Sequence, residues 1–166
     1  MQIQYLKRHG MKIGSGCDIQ NPAQLLGTDF NKISIGDNVT LASSSLLIPH
    51  DGSLRVLSGT VKRVEGRMGF LGLIKIYDNC FIGANAIILP GVEIGPNTII
   101  GAGSVISKSV PPNCVYAGNP GRFVCSLDEL QEKIKKLPQT YHTITNKDPI
   151  QGKVVRIHGA TQSCEK

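Results

Sequence analysis

Residues 76 to 111 read as six consecutive hexads: Ile76-Tyr-Asp-Asn-Cys-Phe, Ile82-Gly-Ala-Asn-Ala-Ile, Ile88-Leu-Pro-Gly-Val-Glu, Ile94-Gly-Pro-Asn-Thr-Ile, Ile100-Gly-Ala-Gly-Ser-Val and Ile106-Ser-Lys-Ser-Val-Pro. Isoleucine opens every unit. A small or β-branched residue stands four places later, at Cys80, Ala86, Val92, Thr98, Ser104 and Val110. A helix repeats its apolar face near 3.6 residues and a strand near 2, so a strict six is neither. Six-residue units are those of a parallel β-helix, in which each unit is one short strand and one corner. Three units close a triangular coil. The isoleucines then point inward and stack on those of neighbouring coils at the strand spacing of about 4.8 Å. Glycine and asparagine suit the corners because they tolerate left-handed backbone angles. The fold class is therefore all-β, with full coils at 76–93 and 94–111.

The same pattern extends towards the N-terminus. Ile13-Gly-Ser-Gly-Cys-Asp, Ile19-Gln-Asn-Pro-Ala-Gln and Leu25-Leu-Gly-Thr-Asp-Phe form a first coil. The phase slips through Asn31–Ser34, and a second coil starts at Ile35-Gly-Asp-Asn-Val-Thr. It continues through Leu41-Ala-Ser-Ser-Ser-Leu to Leu47-Ile-Pro-His-Asp-Gly. From Asp51 to Lys75 no hexad can be read, and the repeat resumes at Ile76. That stretch carries Arg55, Lys62, Arg63 and Arg67 among five glycines. Insertions of this kind leave a solenoid at a corner and often carry function. Residues 1–12 are a lead-in suited to covering the open end of the first coil, since exposed strand edges invite association.

Beyond the repeat, Pro111-Pro112 ends the last regular strand, and 113–125 reads as a partial closing coil. Ser126-Leu-Asp-Glu129 is a capping box. The helix it opens runs to about Leu137, with Leu127, Leu130, Ile134 and Leu137 on one face, and Pro138 stops it. The expected organisation is a β-helix over 1–125 with the insertion 51–75, then a C-terminal helix and tail over 126–166. Within the tail, Ile150 to Ile157 reads as a short strand or hairpin, and the last residues as disordered.

Length 166 suits one domain with a modest core. No apolar run approaches the roughly 20 residues of a membrane helix. The N-terminal residues lack the apolar segment of a signal peptide, which points to the cytoplasm. Cysteines at 17, 80, 114, 125 and 164 are odd in number and form no Cys-x-x-Cys pair, so neither zinc nor a disulfide framework is indicated. Net charge is +6, yet aromatic residues are 5% and none is interleaved with the basic ones. A polyphosphate ligand fits this pattern better than nucleic acid.

Of the histidines 9, 50, 142 and 158, only His50 lies in the coils, at the mouth of the insertion. Four segments carry a resemblance to a known family. They are Ile35-Gly-Asp-Asn-Val, Pro49-His-Asp-Gly52, Ile82 through Gly95, and Ile100 through Asn113 with Ala117-Gly-Asn-Pro120. Over residues 13–125 the chain resembles the hexapeptide-repeat acyltransferases, and among them the bacterial enzymes that O-acetylate sugars during capsule, lipopolysaccharide or exopolysaccharide assembly. The resemblance implies a left-handed β-helix, a homotrimer with sites between subunits, acetyl-CoA as acyl donor and a saccharide acceptor. It implies His50 as general base, since an imidazole titrating near about 6.5 accepts a hydroxyl proton at neutral pH. Asp51 is expected to orient it. A backbone N–H at the Gly83-Ala84 turn is expected to steady the oxyanion. Ala84 and Ala102, one coil apart, match the small-residue corner that lets the pantetheine arm pass. Ser107, Lys108 and Arg122 match contacts to the phosphate and adenine end. Arg55 is a candidate acceptor contact. Tyr77 and Ser109 depart from the Gly and Asp the family often has there.

Three other readings compete. An amino-sugar N-acetyltransferase shares the core. A metal-dependent carbonic anhydrase on the same fold needs three histidines converging on one metal, and one histidine in the coils does not build that site. A non-catalytic binding scaffold needs neither His50 nor the residues of the CoA corner. The chain lacks the long N-terminal helical domain of serine acetyltransferases, which disfavours serine as acceptor.

Overall fold

The computed structural model describes residues 2–20, 29–57 and 69–136. The chain divides into two compact units, Met1–Leu130 and Gln131–Lys166. The first unit is a three-faced parallel solenoid. Its first face stacks β1 (Lys12–Ile13), β3 (Ile33–Ile35), β8 (Ile74–Ile76) and β11 (Glu93–Ile94). The second stacks β2 (Asp18–Ile19), β4 (Thr40–Leu41), β9 (Cys80–Ile82), β12 (Thr98–Ile100) and β14 (Cys114–Ala117), all parallel. The third stacks β5 (Leu46–Leu47), β10 (Ile87–Ile88) and β13 (Val105–Ile106).

The registers explain the period. Ile76 pairs with Ile94, Ile82 with Ile100 and Ile88 with Ile106, each 18 positions on. All six repeat isoleucines are 2% exposed or less, and the residues four places later are buried as well. Every hexad thus places two side chains in the core. Ile13 pairs with Ile35, 22 positions on, so the slip adds four residues to one coil. It is absorbed by a 3-10 turn at Phe30–Lys32.

The corners follow from backbone sterics. Asn38, Asn79, Asn97 and Asn113 occupy one corner of successive coils with φ between 54° and 59°. The amides of the last three form a ladder: Asn79 Nδ2 donates to Asn97 Oδ1 at 2.7 Å, and Asn97 Nδ2 to Asn113 Oδ1 at 3.0 Å. Asparagine is the side chain that both accepts positive φ and satisfies its own polar groups by stacking. Just inside this corner, Cys17, Cys80 and Thr98 donate to the carbonyls of Gly36, Gly95 and Pro111 in the next coil, each at 3.1 Å. These small donors serve a backbone carbonyl at a buried bend, where an apolar residue would leave it unpaired.

The ends differ from the expected reading. The lead-in folds as helix α1 (Gln2–Arg8), with Leu6 fully buried and Met11 beside it in the core. Tyr5 lies edge-on to Phe30, ring centroids 6.4 Å apart. Seven residues without an acidic first turn give too little periodic signal to mark a helix in sequence. At the other end, the partial coil expected over 113–125 is a hairpin. β14 continues the second face, and β15 (Arg122–Ser126) then returns antiparallel to it.

The capping box forms as expected: Ser126 Oγ accepts from Glu129 N at 3.1 Å, and Glu129 Oε2 accepts from Ser126 N at 2.9 Å. It opens helix α2 (Leu127–Lys135). Leu137, Pro138 and everything expected of the tail lie outside the described residues. Among the described residues no helix is long and apolar enough to cross a membrane.

Truncating Ile100, which is fully buried between two coils, is expected to cost about 2–5 kcal/mol. Ile99→Ala, half-buried on the outer side of the same strand, should cost clearly less. Urea unfolding of the two variants checks the difference.

Candidate active site

The second coil ends at a corner where the chain leaves the solenoid. There β6 (His50–Asp51) pairs antiparallel with β7 (Phe70–Leu71), His50 opposite Leu71 and Asp51 opposite Phe70. Both ends of the insertion are thereby fixed against each other. A 3-10 segment, Ser53–Leu57, follows β6. The coil is regained at Ile74, two residues before the repeat becomes visible in sequence. Ile74 is fully buried and pairs with Ile33.

His50 is about half exposed, and its Nδ1 lies 2.6 Å from Asp29 Oδ2. A proton on Nδ1 directed at that carboxylate leaves Nε2 as the free acceptor. The carboxylate that orients His50 is therefore Asp29 and not Asp51. Neighbouring side chains of a strand diverge to opposite sides. Asp51 instead closes a turn on its own chain, accepting from Ser53 N at 2.8 Å and from Ser53 Oγ at 2.9 Å. These two bonds, the N–H first, hold the Asp51 carboxyl below the usual range, with His50 adding a smaller pull.

Asp29 is not marked in the sequence because it stands at the end of the first coil just ahead of the phase slip, where the repeat no longer says which later residue it faces. It precedes His50 by 21 residues, one coil and most of the slip. Only the position of the 3-10 turn shows that the two share a corner.

The small-residue corner lies at the other end of the third face. Gly103 N donates to Ala84 O at 2.8 Å, which stacks the Ala102 turn on the Ala84 turn. A Cβ on Gly83 would stand 2.5 Å from Ala102 N, so only glycine permits this approach. Ala84 is half-buried, Ala102 and Gly103 are exposed, and a Cβ on Gly103 would meet nothing within 4 Å. Among the described residues the N–H groups of Ala84 and Ala102 enter no hydrogen bond. The corner is thus a smooth ledge with two spare donors one coil apart. It has the chemistry needed to hold a narrow chain of amides.

Within one chain this ledge and His50 are not brought together, because β10 and its stack lie between them. Ser107 and Lys108 follow β13, exposed, at the corner that also carries His50 two coils away. Arg122 is exposed at the start of β15, and its Nη1 donates to Gly121 O at 3.0 Å. Arg55 is exposed in the 3-10 segment.

The two departures have structural uses. Tyr77 Oη donates to Glu93 Oε2 at 3.0 Å under the Lys75 ammonium, and Ser109 Oγ accepts from Glu93 N at 3.0 Å. Burial pushes the Cys80 and Cys114 thiols up, away from nucleophilic thiolate. Among the described residues no three His, Cys, Asp or Glu side chains are placed to hold a metal ion.

A family model described as bacterial transferase hexapeptide (six repeats) matches residues 74–108. Protein CapG of Staphylococcus aureus is 34% identical over 130 residues, covering 78% of this chain and 73% of its own. The chain belongs to the hexapeptide-repeat transferases. Galactoside O-acetyltransferase of Escherichia coli is 35% identical over 124 residues, 73% of this chain and 57% of its own. A solved structure, the hexapeptide-repeat acetyltransferase VCA0836 of Vibrio cholerae complexed with acetyl coenzyme A, superposes with a TM-score of 0.57 at 28% identity. That match covers 71% of this chain and 61% of the other. The chain spans just over half the length of the first curated relatives it matches.

The turn at Asp51 has a pH signature. A carboxyl held low in the folded protein adds stability above the unfolded pKa, and that stability is lost as pH falls through the folded value. In an NMR titration Asp51 is expected to titrate below an ordinary aspartate. Ser53→Ala, which keeps the N–H and removes the hydroxyl, should move it part of the way back.

Proposed function

We propose that this chain transfers an acetyl group from acetyl-CoA to a hydroxyl of a saccharide, with His50 as general base, in the synthesis of surface polysaccharide. The observation that carries the reading is the Asp29–His50 pair at the mouth of the insertion. It leaves Nε2 unblocked on a half-exposed ring. Nε2 takes the acceptor hydroxyl proton as the oxygen attacks the thioester carbonyl carbon. The tetrahedral oxyanion is met by a backbone N–H of the Ala84 corner. The C–S bond then breaks, and the thiolate leaves with the proton returned from the imidazolium. No residue is acylated in this reading, and the Cys80 and Cys114 thiols are held up by burial, away from a nucleophilic thiolate.

The coil is left-handed in this reading, and the working unit is a homotrimer, which brings the ledge of one copy against the His50 corner of the next. The outer surfaces support such packing. The outward column of the first face is polar, Lys12, Ser34, Lys75 and Glu93. That of the second runs Asp18, Thr40, Phe81, Ile99 and Val115, apolar over its last three coils, and that of the third Leu46, Ile87 and Val105. Two columns that are apolar from the third coil onward and one that is polar suit burial between neighbours on two sides and solvent on the third. Acetyl-CoA then lies along the ledge past Ala84 and Ala102, with Ser107, Lys108 and Arg122 towards its phosphates. Arg55 faces the acceptor. The same geometry serves an amino-sugar nitrogen, so acceptor panels include amines.

The test is release of free thiol from acetyl-CoA with sugars, nucleotide sugars and amino sugars. His50→Ala should lower turnover about 100-fold or more while retaining acetyl-CoA binding. Asp29→Asn should lower kcat by up to about 100-fold with the KM for acetyl-CoA unchanged. Asp29→Glu should recover part of the loss, and Asp51→Asn should have a smaller effect than Asp29→Asn. Full activity in His50→Ala, or acetyl-CoA binding by neither protein, overturns the reading and leaves a binding scaffold.

A further inference from the structure

An aspartate just before a helical turn ordinarily caps it, its carboxylate accepting from a backbone N–H two or three residues on. Asp29 stands at that position of the 3-10 turn Phe30–Lys32 and makes no such bond. Its carboxylate meets His50 Nδ1 instead. The turn holds the main chain of Asp29, whose carbonyl accepts from Lys32 N at 2.9 Å, but not its side chain. Whatever seats the turn therefore aims the carboxylate.

Helix α1 seats it. Phe30, the neighbour of Asp29, is 8% exposed and belongs to the core. Two rings of the α1 segment meet it edge-on, Tyr5 with centroids 6.4 Å apart and His9 at 6.1 Å. Those two rings lie 4.1 Å from each other, and His9 Nδ1 donates to Tyr5 O at 2.8 Å, which fixes the imidazole. The helix stop makes a second contact with the same turn. Gly10 has a φ of 97°, and Met11 N donates to Leu6 O at 3.1 Å across it. Leu6 and Met11 are both buried, as the apolar residues flanking a glycine stop usually are. A Cβ on Gly10 would stand 3.2 Å from Asn31 Cβ, so the end of the helix abuts the slip directly.

Core burial alone does not account for the ring pair. Leu6 and Met11 anchor the helix, whereas Tyr5 is 47% exposed and His9 is exposed as well. Among the described residues their ring contacts are to each other and to Phe30. We infer that Tyr5 and His9 are positioning residues for His50. The ring pair sets Phe30, Phe30 sets the adjoining main chain of Asp29, and Asp29 keeps the proton of His50 on Nδ1. That the aimed imidazole is a catalytic base rests on the proposed function; the hold on its tautomer does not.

The experiment is nitrogen NMR of the imidazoles at pH about 8.5, some two units above an ordinary histidine, where the shifts of the two ring nitrogens read the tautomer. His50 of the intact chain should be mainly the Nδ1–H form. In Tyr5→Ala and in His9→Ala it should move to a mixture of both forms, with unchanged circular dichroism and sedimentation velocity. Tyr5→Phe, which keeps the ring, should match the intact chain. In turnover, Tyr5→Ala should lower kcat about threefold to tenfold with the KM for acetyl-CoA unchanged. In an Asp29→Asn background the same change should alter kcat by less than about twofold, because the residue it acts through is already gone. His50 nitrogen shifts identical in both alanine variants and the intact chain overturn the inference. So does a Tyr5→Ala loss that repeats in full beside Asp29→Asn, which makes the ring pair a support of the fold alone. A chain that shows the tautomer change but transfers no acetyl group upholds this inference and loses the proposed function.

Discussion

In a solenoid each coil is held by the coils above and below it, and a side chain contributes to the core only if its counterpart arrives one full turn later. That requirement fixes the 18-residue return of isoleucine seen from Ile76 to Ile106. It also explains why departures are confined to corners. A residue added within a strand would rotate every later side chain out of register. A residue added at a corner leaves the strands as they were. Both irregularities obey this rule: the slip at Phe30–Lys32 and the insertion after His50 lie where the third face turns into the first.

The candidate site grows out of those two departures. A perfect repeat would present the same corner in every coil, with nothing to distinguish one from another. The slip brings Asp29 to the level of His50, and the insertion places His50 on a paired strand and not in a bare turn. The unbroken part of the repeat supplies the opposite requirement, a uniform ledge at Ala84 and Ala102 along which an extended ligand can lie. In the proposed function, irregularity supplies the chemistry at one corner and regularity the binding at another.

Legibility followed the same division. The hexads, their buried positions and the positive-φ corners were readable because period and residue type carry the same information there. Cys80, Thr98 and Ser104 occupy their places for the reason that small polar residues do in Asn- and Gly-rich corners. The capping box at Ser126 is a local signal and forms as the sequence predicts. What was missed depends on distant parts of the chain. Helix α1 is short and stabilised by Leu6 and Met11 packing on the first coil, which no local pattern reveals. The closing hairpin needs the chain to reverse, whereas a repeat predicts only continuation. Asp51 drew attention as the neighbour of His50, yet adjacency along a strand separates two side chains, while Asp29 meets His50 across coils.

The antiparallel pairing of His50–Asp51 with Phe70–Leu71 closes the insertion at its neck. Once the neck is closed, the length of what lies beyond it is nearly free: closure entropy grows only with the logarithm of loop size. The solenoid does not register whether the excursion is short or long, apolar or charged. The two properties are therefore separable by inheritance. Mutation can rewrite the insertion, and with it what the corner recognises, at little cost to folding, while the coils stay under the constraint of their stacking.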